Sequence, residues 1–310
     1  MYDFVIVGGG SAGCVLANRL SADPAIRVCL LEAGPPDSSP FIRIPLGLVR
    51  MMMSKKLNWH YFTTPQAELN GRRLFMPRGK TLGGSSATNA MIYTRGHASD
   101  YDHWAALGNR GWSYADVLPV FMRSEHDEDG ASPFHGSGGP LNVARLRSPN
   151  LLTRTFIAAA AETGYPFNPD FNGPSQRGVG FYQFMNRHGR RSSAAYAFVA
   201  PLEKDPRLTL RLQARAERVL IEDGRAVGVV WRDRDGQERR SHARGEVILT
   251  AGALVTPKLL MLSGLGPADH LRQHGIEVLA DLPGVGQNLI DHPEVPIIAT
   301  ASGRYGYYGQ

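Results

Sequence analysis

The first residues with chemical potential are three glycines and one carboxylate. In "YDFVIVGGGSAGCVLANRL", Tyr2 to Leu20, Gly8, Gly10 and Gly13 fit G-x-G-x-x-G. In such a pattern the first glycine permits a sharp turn, the second lets backbone approach a pyrophosphate, and the third lets a helix pack closely on a strand. Ser11 and Ala12 open the helix that follows, where free N–H groups and the positive end of the dipole favour an anion. Glu32, with Ala33 beside it, comes nineteen residues after Gly13. A carboxylate there can accept hydrogen bonds from the ribose hydroxyls of a dinucleotide and disfavours a 2′-phosphate. NAD and FAD both remain open on these residues.

A second glycine cluster lies in "PRGKTLGGSSATNAMIYTRG", Pro77 to Gly96. Gly83-Gly84-Ser85-Ser86 can bring consecutive backbone N–H groups and two hydroxyls against a flat or anionic ligand. Asn89, Ala90, Met91 and Ile92 could then pass beside a ring system. The ten histidines supply no convincing general base. His292 follows Asp291 directly, but neighbours on an extended segment point to opposite faces. His97, His103, His126 and His135 lie in polar, glycine-containing surroundings that suit exposed loops. His270 and His274 share a helical face without a clustered carboxylate or cysteine, so no metal site is assigned. No catalytic residue is assigned either.

The elements that must position these residues are legible from apolar patterning. Phe4 to Val7 reads as a buried parallel strand, Ala12 to Leu20 as a helix, and Val28 to Leu31 as a second strand ending at Glu32. Gly34 to Pro45 reads as an extended loop. Glu246 to Leu249 is an apolar strand running into Thr250-Ala251-Gly252, whose small residues let backbone approach a ligand at the carboxyl edge of the sheet. Leu254 to Leu262 is a helix with Pro257 in its early turns. The fold class is α/β, with a Rossmann-like domain at its centre.

Composition narrows the function classes. The 310 residues carry a net charge of +6 and 43% hydrophobic residues, enough for a substantial core. Basic residues are interspersed with acids, as in Arg232-Asp233-Arg234-Asp235, a pattern of a solvated surface rather than a nucleic-acid stripe. Arg187, His188, Arg190 and Arg191 form the densest basic stretch and read as a loop in water. No stretch approaches the roughly twenty apolar residues of a membrane span. The first strand starts too early for a signal peptide, so the cytoplasm is expected, with peripheral attachment to a membrane left open. Cys14 and Cys29 fall in the first helix and second strand, where they read as buried small hydrophobes. Their separation lacks the close pair of flavin disulfide reductases.

The Pro77 to Gly96 stretch closely resembles the first signature of the glucose-methanol-choline (GMC) family of flavoprotein oxidoreductases. "TAGALVTPKLLMLSGLG", Thr250 to Gly266, resembles the second signature, and "PGVGQNLIDHP", Pro283 to Pro293, resembles the G-x-G-x-N-L-x-D-H segment. "DYDHWAALGNRGWSYADVLPVFMRSE", Asp100 to Glu125, and "RRSSAAYAFVAPL", Arg190 to Leu202, are similar to family segments in family order. The resemblance implies FAD as cofactor and oxidation of a small-molecule alcohol to an aldehyde, with hydride passing to flavin N5. It implies that Val219, Ala251 and Gly252 contact the cofactor and that Gly83, Gly84 and Asn89 to Ile92 meet its flavin end. Arg78 is expected among the contacts, and Trp59 faces the flavin or the substrate cavity, a core or lid position being equally open. Thr88 stands where some members carry a histidine tethered to the flavin, so the FAD is expected to be non-covalent.

By the same resemblance the FAD-binding domain is discontinuous, residues 1–155 and 213–295, and residues 156–212 and 296–310 form part of an incomplete α+β substrate-binding domain. The family's base is a histidine in a C-terminal part beyond these residues, so the expectation is a flavoenzyme portion without turnover of its own. The same fold hosts a lyase and a photodecarboxylase, and a non-catalytic flavin-binding fragment is the third alternative. The alcohol, the electron acceptor and the oligomeric state are not read from the sequence.

Overall fold

The computed structural model describes residues 1–292. The described chain forms two compact units, residues 1–90 with 189–290 and residues 91–188 with Asp291 and His292. The first unit is built on a six-stranded sheet. Its strands are β1 (Tyr2–Val7), β2 (Val28–Glu32), β3 (Leu208–Leu212), β4 (Arg215–Glu222), β5 (Arg225–Arg232) and β6 (Glu238–Leu249), in spatial order β3-β2-β1-β6-β5-β4. β3, β2, β1 and β6 run parallel, while β6, β5 and β4 form an antiparallel meander.

β2 and β1 are apolar runs because they lie in the middle of the sheet, flanked by strands on both edges and covered on both faces; every residue of β2 is buried. Their register sets Val5 opposite Cys29 on one side and Val247 on the other. Val5, Val7, Cys29, Leu31, Val219, Val229 and Trp231 belong to one core cluster. β6 serves both halves of the sheet: residues 238–242 pair with β5, and the remainder pairs with β1. Within the pairing to β1 the register slips by one residue between Ala243 and Glu246, and Gly245 sits in the slip. A Cβ on Gly245 would stand 2.7 Å from the Asp3 carbonyl oxygen, so the bulge needs glycine. Two helices complete the frame, α1 (Ser11–Leu20) after β1 and α2 (Gly252–Leu262) after β6. Both cysteines are buried and unbonded to each other.

Two local readings differ from this frame. Residues 34–45 are not wholly extended, because Pro40 starts a helical turn, Pro40–Arg43, for which its fixed φ is preorganised. Residues 208–212, placed on the substrate side by sequence, form β3 at the edge of the main sheet, paired with β2. The alternation of apolar Leu208, Leu210 and Leu212 fits either layer; the parallel pairing decides it. The proposed segment 296–310 lies outside the described residues.

The second unit carries helices Ala98–Ala106 and Tyr114–Ser124, each closed by a reciprocal capping box, His97 with Asp100 and Ser113 with Asp116. Helix Leu151–Glu162 is capped by Asn150. Its interior is polar at one place. His135, expected on an exposed loop, is buried, its Nδ1 3.0 Å from Asp127 and 3.2 Å from Glu125 and its Nε2 2.9 Å from Asp170. Arg95 donates to Glu125 at 2.6 Å. Neighbouring glycines hid this from the sequence: Gly136 and Gly139 are there because a Cβ on either would strike backbone at 1.9 and 2.3 Å, which is close packing rather than exposure.

Burial works against a charge on His135, but Asp127, Asp170 and Glu125 override it and raise its pKa to about 11. A raised pKa stabilises the fold below the unfolded value of about 6.5, and this contribution is lost as pH rises through about 11. Asp127, Asp170 and Glu125 are shifted down, so their contribution is lost as pH falls into the carboxylate range. His135→Gln is therefore expected to lower unfolding free energy by about 3 to 5 kcal/mol near pH 6.5, with the difference shrinking towards pH 10. Denaturant titrations across that range check it; a pH-independent difference would mean a neutral imidazole.

Candidate cofactor-binding site

Three backbone segments converge at the carboxyl ends of β1, β2 and β6, where ligands of open α/β sheets bind. They approach too closely for side chains. Gly8 has φ +107°, and a Cβ on it would lie 2.5 Å from the Thr250 carbonyl oxygen. A Cβ on Gly13 would lie 2.0 Å from the Gly8 carbonyl oxygen. Thr250 ties the turn down, its N–H donating to Val7 at 2.8 Å and its hydroxyl to Gly8 at 2.8 Å. The second glycine cluster joins directly, since Gly83 N–H donates to the Gly9 carbonyl at 2.7 Å and a Cβ on Gly84 would meet Gly10 Cα at 2.8 Å.

Gly10 is different. The nearest atom to its absent Cβ is the Thr250 carbonyl oxygen at 4.0 Å, and nothing lies within 4 Å of that position on Gly252. Packing requires neither glycine; the φ of +85° at Gly252 calls for glycine by its backbone alone, whereas Gly10 has an ordinary φ and its space belongs to a cavity of about 320 Å³. Gly8, Gly10, Ser11, Ala12, Glu32, Ala33, Trp59, Arg78, Gly84, Ala251 and Gly252 line it, so these eleven sequence-predicted residues share one wall system. The N-terminus of α1 opens on it, and helix geometry leaves the first amides without intrahelical acceptors.

Glu32 anchors the site. Its Oε2 accepts from Gly9 N–H at 2.8 Å and its Oε1 from Gly34 N–H at 2.7 Å, so the carboxylate binds two loops as well as facing the cavity. Burial pushes its pKa up to about 7, against the lowering effect of those two amides and of Lys80. Trp59 and Tyr61 stack with centroids 5.7 Å apart and planes 8° from parallel. The Lys80 ammonium sits 4.9 Å above the Trp59 ring. Arg78 and Arg215 add positive charge to the lining.

The remaining predicted residues lie off this wall. Gly13 is beneath the turn and Gly83 behind it, both engaged with backbone. Asn89 accepts from Arg191 Nη1 at 2.7 Å, and Ala90 follows it. Met91 and Ile92 fall in the second unit, Ile92 paired with Phe184. Val219 is buried on β4, its N–H donating to Ser263 Oγ at 2.8 Å. The amides of Gly83, Gly84 and Ser86 are not presented in a row to a ligand; they donate to Gly9, Thr81 and Gly83 and close the loop. Arg191, expected in water, is buried with its Nε on the Ile42 carbonyl.

Ser85, read from the sequence as part of the second ligand-facing loop, is on the lining, whereas sequence reasoning missed Tyr61, Ala214, Arg215, Ala216 and Leu254 there. Tyr61 had a usable signal, since Trp59 and Tyr61 alternate on an extended segment and so share a face. The turn between β3 and β4 had none. Among the described residues no group of three His, Cys, Asp or Glu is arranged to hold a metal ion. His270 and His274 stack edge to face at 4.7 Å, and His292 is exposed. No helix among the described residues is long and apolar enough to cross a membrane.

The sequence profile described as GMC oxidoreductase matches residues 2–294. The chain is 50% identical over 306 residues to an alcohol dehydrogenase [acceptor] of Pseudomonas putida, covering 98% of this chain and 55% of that protein. It is 47% identical to the mitochondrial choline dehydrogenase of Homo sapiens, covering 96% of this chain and 51% of the relative. Among solved structures it resembles a pyridoxine 4-oxidase from Mesorbium loti, with TM-score 0.86 and 38% identity over 91% of this chain and 56% of that one. Formate oxidase of Aspergillus oryzae gives TM-score 0.87 at 32% identity, covering 94% and 52%. The chain thus spans about half the length of the curated relatives it matches.

The two kinds of glycine give a direct test. Gly10→Ala is expected to leave the thermal midpoint of the ligand-free protein unchanged while abolishing dinucleotide binding, because its Cβ enters only the cavity. Gly13→Ala is expected to destabilise the ligand-free protein by about 1 to 3 kcal/mol through overpacking. Melting curves and flavin titration separate them; equal melting behaviour would contradict the assignment.

Proposed function

The chain belongs to the GMC oxidoreductase family, and from that premise we propose that the cavity at the carboxyl ends of β1, β2 and β6 binds FAD non-covalently, in an enzyme that oxidises a small-molecule alcohol. The observation that carries the reading is the open position at Gly10 beside the N-terminus of α1, a cradle that a single Cβ would fill. Bound there, FAD supplies the acceptor for a hydride from the alcohol carbon. Ser11 and Ala12 would hold the pyrophosphate with their amides, and Gly10 leaves room for it. Glu32 would accept from the ribose hydroxyls with the lone pairs that Gly9 and Gly34 leave over. Arg78 and Arg215 would offset phosphate charge, and Ala251 and Gly252 would let the ligand pass close to backbone.

Thr88 is the ground for non-covalent attachment. It is buried at the end of the Gly84–Ala87 turn, and its hydroxyl cannot form the histidyl bond found in tethered flavins. No histidine lines the cavity among the described residues, and we assign none as base. Acid precipitation of the reconstituted protein should leave all flavin in the supernatant; flavin retained in the pellet would refute the non-covalent reading, and a protein taking up NAD but no FAD would refute the cofactor.

A pH dependence follows from Glu32. Its folded pKa lies above the ordinary carboxylate value, at about 7, so in the ligand-free protein it is half protonated near neutrality. Ribose hydroxyls donate to the ionised form, so FAD affinity should rise by about tenfold per pH unit up to pH 7 and level off above it. Glu32→Gln should flatten that profile and lower affinity above pH 7 by about 1 to 3 kcal/mol, read by flavin fluorescence titration.

A further inference from the structure

We infer that the outer face of residues 40–56 is a docking surface for an anionic phospholipid bilayer. From Ser38 to Ala67 the sequence has no Asp or Glu, while Arg43, Arg50, Lys55 and Lys56 supply four positive charges. The stretch folds as a helical turn Pro40–Arg43, a 3₁₀ turn Pro45–Gly47 and a short helix Leu48–Met52. Its inner face is accounted for: Ile42, Met51 and Leu57 form a buried cluster with Ala87. Its outer face is apolar as well. Leu46, Val49 and Met53 are 80%, 70% and 69% exposed, and Phe41 and Ile44 stand beside them in the open. Spacings of three and four residues set Leu46, Val49 and Met53 on one side of the turn.

A segment with apolar side chains on both its inner and its outer face needs something on both sides, and an exposed patch of this kind marks an interaction site. The charges select the occupant. Lysine is depleted at the centres of protein interfaces, whereas at a lipid surface Lys and Arg lay their stems along apolar neighbours and keep their heads at the phosphates. Arg50 already takes that posture, its guanidinium 5.6 Å over the Phe41 ring. Exposed apolar side chains with cations on the same short segment, which holds no acid of its own although Asp37 lies near Arg43 at its start, match a segment seated among lipid headgroups. The inference is independent of the cofactor reading.

The test is co-sedimentation with phosphatidylcholine vesicles made with and without phosphatidylglycerol. The chain is expected to bind the anionic vesicles, weakly or not at all the neutral ones, and to be released by raised salt. Leu46→Glu with Val49→Glu should lower the partition coefficient about tenfold or more, and Lys55→Ala with Lys56→Ala about fivefold per charge removed. Leu107→Glu, at a residue 68% exposed in the second unit, should change nothing. Wild-type binding by the Leu46/Val49 variant would overturn the inference, as would salt-insensitive binding to neutral vesicles. A dimer that this variant converts to monomer would also overturn it, by assigning the face to a second copy.

Discussion

The structure depends on backbone meeting backbone where no Cβ fits. Gly8 against Thr250, Gly13 against Gly8, Gly84 against Gly10, Gly79 against Gly84 and Gly34 against Lys80 are all contacts that an added Cβ would close to 2.8 Å or less. They draw the end of β1, the start of α1, the end of β6 and the 79–85 loop into one layer. Once that layer exists, the amides at the start of α1 are aimed at a fixed point, and the small residues at 251–253 form its opposite wall. Gly10 and Gly252 stand apart from this set because their open positions face the cavity. One sequence pattern therefore contains two physical demands, contact among loops and clearance for a ligand.

Glu32 carries the tension that such a layer creates. A carboxylate at the end of a fully buried strand loses its hydration, which favours the neutral acid. The Gly9 and Gly34 amides recover part of that loss and in return fix the carboxyl in one orientation. The same group thereby closes the loops and presents its remaining lone pairs at the cavity. Its position is set before any ligand arrives, and preorganised acceptors lose little entropy on binding.

Much of this was readable from residue order. Gly8, Gly10, Gly13 and Glu32 fall on their elements because periodicity, turn chemistry and the helix start all agree over a stretch of about thirty residues. The second glycine cluster was legible as a loop, but the destination of its amides was not, since Gly83 donates to Gly9 across more than seventy residues of chain. His135 was misread for a related reason. Local polarity and glycine suggest solvent, while the acids that surround it come from strand Glu125–Asp127 and from Asp170, and only tertiary structure assembles them. β3 was obscured by its ambiguity: three leucines in alternation describe an apolar face without naming the partner strand.

Arg95 and Arg191, the two arginines buried among the described residues, show how differently this fold handles a charge. Arg95 has a carboxylate, Glu125, at 2.6 Å, and its pKa is raised although burial opposes it. Arg191 has no carboxylate partner among the described residues, and burial lowers its pKa to about 10. It remains charged near neutrality, held by neutral oxygens alone: the Ile42 carbonyl at 3.0 Å, the Ser86 carbonyl at 3.3 Å and Asn89 Oδ1 at 2.7 Å. Those acceptors belong to two separate segments, and a planar fork reaches all of them at once where an ammonium could not. Arg191 thus joins the 40–53 segment to the 83–89 loop and fixes the Asn89 amide. Three dipoles converge on the unneutralised charge through Nε and Nη1, while Nη2 is buried with no acceptor, and removing the fork would take this donor from the Ile42 and Ser86 carbonyls.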